Sequence, residues 1–177
     1  VLRFAGSHDL AVTWLAGIFP TLVPGSALRV QITGSLGGLL ALANGQADLA
    51  GSHLWDPGTD SYNAAYVQRF FPGQRMALVT LAGRRLGLLT APGNPLGIAG
   101  LADLPRPGVR FINRNPGSGT RVWLDAMLQR AGISPQSILG YQVEQMTHLA
   151  VAQAVAQGQA DVGLGLQGAA IPYGLDF

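Results

Sequence analysis

The chain contains no cysteine and no lysine. Without cysteine there can be no disulfide, no thiolate nucleophile and no Cys-ligated zinc. Without lysine there is neither the phosphate-binding lysine of a Walker-A loop nor an amine for Schiff-base chemistry. All 11 basic residues are arginines, and they are scattered. Charge is also sparse, at 11% of residues and a net +2, so the pI near 9.5 reflects few charges rather than a basic stripe. That argues against a nucleic-acid surface. No apolar run approaches the roughly 18 residues needed to span a bilayer, because Gly, Pro or Arg interrupts each one. What the chain does have, over 177 residues, is 48% hydrophobic content and 25 glycines. That is enough to bury a core, as one domain or as two small lobes. The chain opens inside an expected strand without an initiator Met. The expectation is a piece of a longer protein, with any leader peptide absent or removed.

Apolar runs and helical spacing alternate along the chain. Strands are expected at 2–5, 28–33, 47–51, 86–90, 109–112, 140–143 and 160–166. Helices are expected at 10–19, stopping before Pro20, and at 36–43, 121–130 and 147–157, with Asn44-Gly45 and Gly158 as stop signals. A further apolar run covers 76–82. This order argues for α/β architecture with largely parallel sheets flanked by helices.

The most informative stretch is Phe111–Arg130, FINRNPGSGTRVWLDAMLQR. It reads as strand, glycine-rich turn, helix, with Ser118 as the natural N-cap. Backbone N–H groups are left over at the start of the helix, an arrangement suited to an oxyanion.

The chain also echoes itself. GSLGGLLALANGQADLA from Gly34 aligns with THLAVAQAVAQGQADVG from Thr147, 113 positions on, sharing GQAD. GSHDLAVTWLAGI from Gly6 aligns with GSGTRVWLDAMLQRAGI from Gly117, 111 positions on. The echo is either the shared grammar of Ala-rich helices ending in Gly or a true repeat, and a true repeat gives two lobes, residues 1–82 (with 170–177 returning) and residues 83–169. Four turn-to-helix junctions would then face one cleft: Ser7 with His8, Ser35, Ser118 with Gly119 and Thr120, and Thr147 with His148. Each supplies hydroxyls, an imidazole or backbone N–H groups, aided by a helix dipole. Such a set can surround a small ionised oxyanion with little formal countercharge. Each Ser or Thr could equally be a plain cap, worth about 1 kcal/mol. His53 reads as an ordinary loop residue. Arg114 and Arg121 could attract an anion, pair with Asp125 or serve the surface, and Asp9 could cap its helix or accept a hydrogen bond from a protonated anion.

The segments RFAGSHDLAV, GSLGGLLALANGQADLAGSHLWD, FINRNPGSGTR and THLAVAQAVAQGQADVGLGL together resemble the periplasmic-binding-protein-like domain family related to molybdate- and tungstate-binding proteins. The resemblance runs from Leu2 to Phe177. It implies a two-lobed, type II fold that binds a small oxyanion, molybdate or tungstate, as a transport receptor or sensor. It further implies contacts from Ser7, Ser35, Ser118, Thr120 and His148, no cofactor and no catalysis. The domain would stand alone, serve an ABC transporter, or be fused to a helix-turn-helix regulator or a molybdenum-cofactor biosynthesis protein. Its compartment would follow that context, cytoplasmic for a sensor and periplasmic or extracellular for a receptor. The family continues for another strand and helix beyond the GLDF at 174–177.

Two other classes compete. A serine hydrolase could use Ser118 with His148 and Asp161 or Asp125, but the G-x-S-x-G elbow is absent around Ser118. An organic-ligand sensor could line the same cleft with Trp55, Tyr62 and Tyr66. The G-x-G-x-x-G match at Gly163–Gly168 lacks the helix and acidic residue a dinucleotide site needs.

Overall fold

The computed structural model describes all residues, Val1–Phe177. Its elements run β1 (Leu2–Gly6), α1 (Leu10–Leu22), β2 (Leu28–Ile32), α2 (Gly34–Ala43), β3 (Leu49–Gly51), β4 (Trp55–Asp56), β5 (Ser61–Tyr62) and α3 (Ala64–Phe70). Then follow β6 (Leu86–Thr90), β7 (Phe111–Arg114), α4 (Gly119–Arg130), β8 (Glu144–Gln145), α5 (His148–Ala156), β9 (Val162–Leu166) and α6 (Gln167–Ala170). The chain divides into two compact units, residues 1–83 with 116–122, and residues 84–115 with 123–177. No helix is long and apolar enough to cross a membrane.

In the first unit β1 is the central strand of a parallel sheet ordered β2-β1-β3. Phe4, Val12 and Leu28 close one face, with Leu15 and Phe19 of α1 packed on them. Leu39, Leu54 and Phe71 form a second cluster that also takes in Val122. Helix α2 lies directly against β1, since a Cβ on Gly38 would stand 2.6 Å from the Ala5 carbonyl oxygen. Asp9 caps α1 by accepting the Ala11 N–H at 2.8 Å. That helix runs past the expected stop, with Pro20 inside its last turns. Val23 still donates its N–H to the Phe19 carbonyl at 2.9 Å, so only the bond proline cannot donate is lost.

The second unit repeats this order. Its sheet is ordered β6-β9-β7-β8, with β7 parallel to both β8 and β9 and β6 antiparallel on β9. Phe111, Leu124, Leu128 and Val162 belong to one fully buried cluster, and Ile112, Val151 and Val155 to another. The strand expected at 140–143 instead begins at Glu144. Gly140, at φ +88°, packs against Phe111, where a Cβ would meet its carbonyl oxygen at 2.2 Å.

Two expectations about the chain's course change. Residues 170–177 lie in the second unit, where Asp176 bridges Thr90 in antiparallel fashion. Residues 116–122 group with the first unit, through contacts described below. The apolar run at 76–82 joins no sheet, and Val79 is 86% exposed.

Candidate functional site

Parallel strands deliver their carboxyl ends to one edge, and in the first unit that edge is crowded with small polar residues. Gly6 is paired in register with Gly51, so the tripeptides Gly6-Ser7-His8 and Gly51-Ser52-His53 leave neighbouring strands side by side. The Ser7 N–H donates to the Gly51 carbonyl at 3.0 Å. The Ser7 Oγ is buried without a protein partner, as is the Ser52 Oγ, and Ser7 itself is only 4% exposed. His8 is also buried. Ser35 is fully buried in the first turn of α2, which starts one residue earlier than the echo with Thr147–His148 implies.

The Pro116–Val122 segment completes this edge. The Leu36 N–H donates to the Gly117 carbonyl at 3.3 Å. Gly34, at φ +77°, sits so close that a Cβ would lie 3.2 Å from the same oxygen, so both space and backbone conformation call for glycine. Ser118 caps α4 as expected, its Oγ accepting the Arg121 N–H at 3.2 Å. The Gly119 and Thr120 N–H groups then stand at the first two helical positions, which have no intrahelical acceptor.

His53 lies in the loop between β3 and β4, as expected, and ties these pieces together. Its Nδ1 lies 3.2 Å from the Ser35 Oγ, and its backbone N–H donates to that same oxygen at 3.2 Å. Its Nε2 lies 3.5 Å from the Thr120 Oγ1. The ring is held against Gly119, where an added Cβ would stand 2.5 Å from Cδ2 and 2.6 Å from both Nε2 and the His53 carbonyl oxygen. Ser7, His8, Ser35, Ser118, Gly119 and Thr120 therefore all belong to the first unit, together with His53 and Ser52, which sequence reasoning passed over. The signal was present as the second copy of Gly-Ser-His.

Thr147 and His148 lie in the second unit. Thr147 caps α5 by accepting the Ala150 N–H at 3.0 Å, and His148 is fully buried. Arg114 is buried there as well. Its guanidinium donates to the Gln145 carbonyl at 3.1 Å and the Met146 carbonyl at 2.9 Å. Burial, with the nearby Arg84 charge adding to it, lowers its pKa to about 10. Asn113 donates to the Tyr141 carbonyl at 3.0 Å.

The aspartates a hydrolytic triad would need are engaged elsewhere. Asp161 is bound to Arg110, and Asp125 accepts the Tyr141 hydroxyl. Among the aromatics expected to line an organic-ligand pocket, Trp55 is buried and donates to Asp60, Tyr66 packs in the first-unit core beneath Arg69, and Tyr62 is exposed.

Among curated proteins, YvgK of Bacillus subtilis (strain 168) is 42% identical over 170 residues, which cover 96% of this chain. The chain spans about half of that relative, 55% of its length. Solved structures share the fold at lower identity. A tungstate ABC transporter from Geobacter sulfurreducens superposes with a TM-score of 0.62 at 20% identity, covering 95% of this chain and 72% of that one. The sulfate-binding protein SubI from Mycobacterium tuberculosis H37Rv gives 0.62 at 16% identity, covering 97% and 66%. An ABC-type phosphate transport receptor from Vibrio cholerae gives 0.54 at 17%, covering 96% and 72%. The model of the PBP superfamily domain matches residues 18–177, and the chain belongs to that family of periplasmic-binding-protein-like domains.

Proposed function

We propose that this domain binds a small tetrahedral oxyanion, molybdate or tungstate, as a transport receptor or sensor, without chemical conversion. The observation that carries the reading is the Ser7 Oγ, a buried hydroxyl with no protein partner at the carboxyl edge of the first sheet. Leaving such a group unpaired costs about 1–3 kcal/mol, a cost that a ligand oxygen would remove. Ser35, Ser118, Gly119 and Thr120 add hydroxyls and helix-start amides on the same unit, and His8 adjoins Ser7. Thr147 and His148 are the second unit's own donors, and variants at those positions read their contribution separately.

The donor set favours a fully ionised anion. A protonated phosphate calls for an acceptor, whereas Asp9, the nearest carboxylate in sequence to Ser7, is committed to capping α1. Molybdate, tungstate and sulfate need no such acceptor. The solved relatives named above for tungstate, sulfate and phosphate support the ligand class, and the family resemblance supports the choice of metal oxyanion. The partner would lie outside this sequence: a fused or separate DNA-binding domain for a sensor, or an ABC transporter for a receptor.

Calorimetric titration of the folded protein with molybdate, tungstate, sulfate and phosphate tests this directly. Heat of binding with tungstate or molybdate and little with phosphate is expected, and silence toward all four overturns the proposal. Ser7→Ala separates binding from folding. It should leave stability unchanged or slightly raised, because no protein hydrogen bond is lost, while weakening the anion by about 1–3 kcal/mol. Ser118→Ala should weaken binding similarly but also lose its cap, worth about 1 kcal/mol of stability.

A further inference from the structure

We infer that His53 couples anion binding to proton uptake, so that the site takes its oxyanion together with one proton. This rests on the oxyanion reading above and concerns a residue which that reading does not use.

The argument is a count of hydrogens. The Ser35 Oγ and the Thr120 Oγ1 each carry one proton, and each touches one nitrogen of the His53 ring. The Ser35 Oγ also receives the His53 backbone N–H. A neutral imidazole has one N–H and one bare nitrogen. Whichever tautomer forms, the bare nitrogen takes the proton of the hydroxyl beside it, and only the other hydroxyl can donate to a ligand. With Nδ1 protonated, Ser35 is released and Thr120 is held. With Nε2 protonated, the roles reverse. When both nitrogens are protonated, each donates to its hydroxyl oxygen, and both hydroxyl protons are free to point at an anion. The imidazolium also brings a positive charge beside the two hydroxyls that would meet the anion.

A bound anion therefore favours the charged ring, which raises the His53 pKa in the complex above its value in the free protein. By linkage, affinity is full below the free-state pKa and is lost as pH rises through the bound-state pKa. Titratable and charged residues on the neighbouring elements are His8 and Asp9 after β1, Asp48 before β3, Asp56 on β4, and Arg121, Asp125 and Arg130 in α4. Helix α2 has none. Asp56 is tied to Thr59 and Arg69, and Asp48 to Arg3. Gly119 is part of the device, because a side chain there would displace the ring from Thr120.

The test is calorimetry with tungstate and with sulfate, which stays unprotonated throughout, from about pH 5.5 to about 8, the range in which a histidine titrates. Titrations in two buffers of different ionisation enthalpy report the protons taken up. The wild type should take up close to one proton per anion at pH values between the free-state and bound-state pKa, and none well above or below both. Its affinity should fall there by up to about tenfold per pH unit. His53→Gln keeps one donor and one acceptor but cannot titrate, so proton uptake should vanish and the pH profile should flatten, whatever the variant's absolute affinity. Anion binding with no proton uptake in the wild type, or an unchanged slope in His53→Gln, overturns the coupling and leaves the oxyanion reading standing. No binding of either anion at any pH overturns both.

Discussion

The two units are built from one plan and closed by one device. In the first, Arg3 donates its backbone N–H and side chain to Asp48, at 2.8, 3.1 and 2.7 Å, and Asp48 returns its N–H to the Arg3 carbonyl at 2.8 Å. In the second, Arg110 and Asp161 repeat the arrangement at 2.8, 3.0, 2.7 and 2.8 Å. Both aspartates belong to the GQAD echoes, and both arginines precede a core phenylalanine, Phe4 or Phe111. Strand order agrees as well, β2-β1-β3 against β8-β7-β9. The units part company at the carboxyl edge. There the first presents serines and an imidazole that bond one another or remain unpaired. The second spends Asn113 and Arg114 on the carbonyls of Tyr141, Gln145 and Met146. One scaffold thus leaves serine hydroxyls without a protein partner in one copy and commits Asn113 and Arg114 to backbone carbonyls in the other.

That contrast can be broken in several ways. The largest effect should come from the core. Phe111→Ala removes a side chain 1% exposed and should cost about 3–5 kcal/mol in denaturant unfolding, whereas Phe4→Ala, at 9% exposed, should cost less. An equal loss would mean the two cores are closer in packing than burial indicates. Arg114→Met comes next. It leaves the Gln145 and Met146 carbonyls without their donor, at about 1–3 kcal/mol for each that stays dry, read as a lower denaturation midpoint with unchanged m-value. If Arg114 serves a ligand rather than the fold, stability will hold and anion affinity will drop. Gly119→Ala should cost about 1–3 kcal/mol from forced displacement of the His53 ring, with loss of anion binding by calorimetry. Gly100→Ala in the second unit, where an added Cβ meets nothing, is the control.

The smallest effect belongs to the clasps, because they lie near water. The hydrogen bond from Arg3 foremost lowers the Asp48 carboxyl to about 2, and the bond from Arg110 lowers that of Asp161. A carboxylate whose pKa is depressed on folding stabilises the protein above its ordinary value near 3.9, and that contribution fades as pH falls through the folded value. Thermal unfolding should therefore show Asp48→Asn and Asp161→Asn lowering Tm at neutral pH and converging on the wild type near about pH 2. The Asp161 variant should be the more affected, since its side chain is 23% exposed against 36% for Asp48.

The sequence made the fold readable because its signals are local and periodic. Ser118 and Thr147 cap their helices as their positions suggest, and the GQAD echo marks equivalent turns in both units. Pro20 misled because a proline near the end of a helix removes only one donor. The course of 170–177, and of 116–122 with its contacts to Leu36 and His53, was hidden for a different reason. Long-range pairing is decided by tertiary packing that no periodicity records. For His53 the one sequence signal was the second Gly-Ser-His copy, and its contacts with Thr120 and Gly119 depend on the same tertiary packing. Its importance comes from a glycine 66 positions away that lets the ring in.

The clasps lie at the amino ends of the strands, the edge opposite Ser7, Ser35 and His53. A reporter dye or tether attached beside Arg3 or Asp48 would therefore sit a full strand length from the first unit's hydroxyls. With no native thiol in the chain, a single introduced cysteine would be the only one to label. The amino-end rim is thus a ready attachment point for a ligand-binding reporter made from this domain.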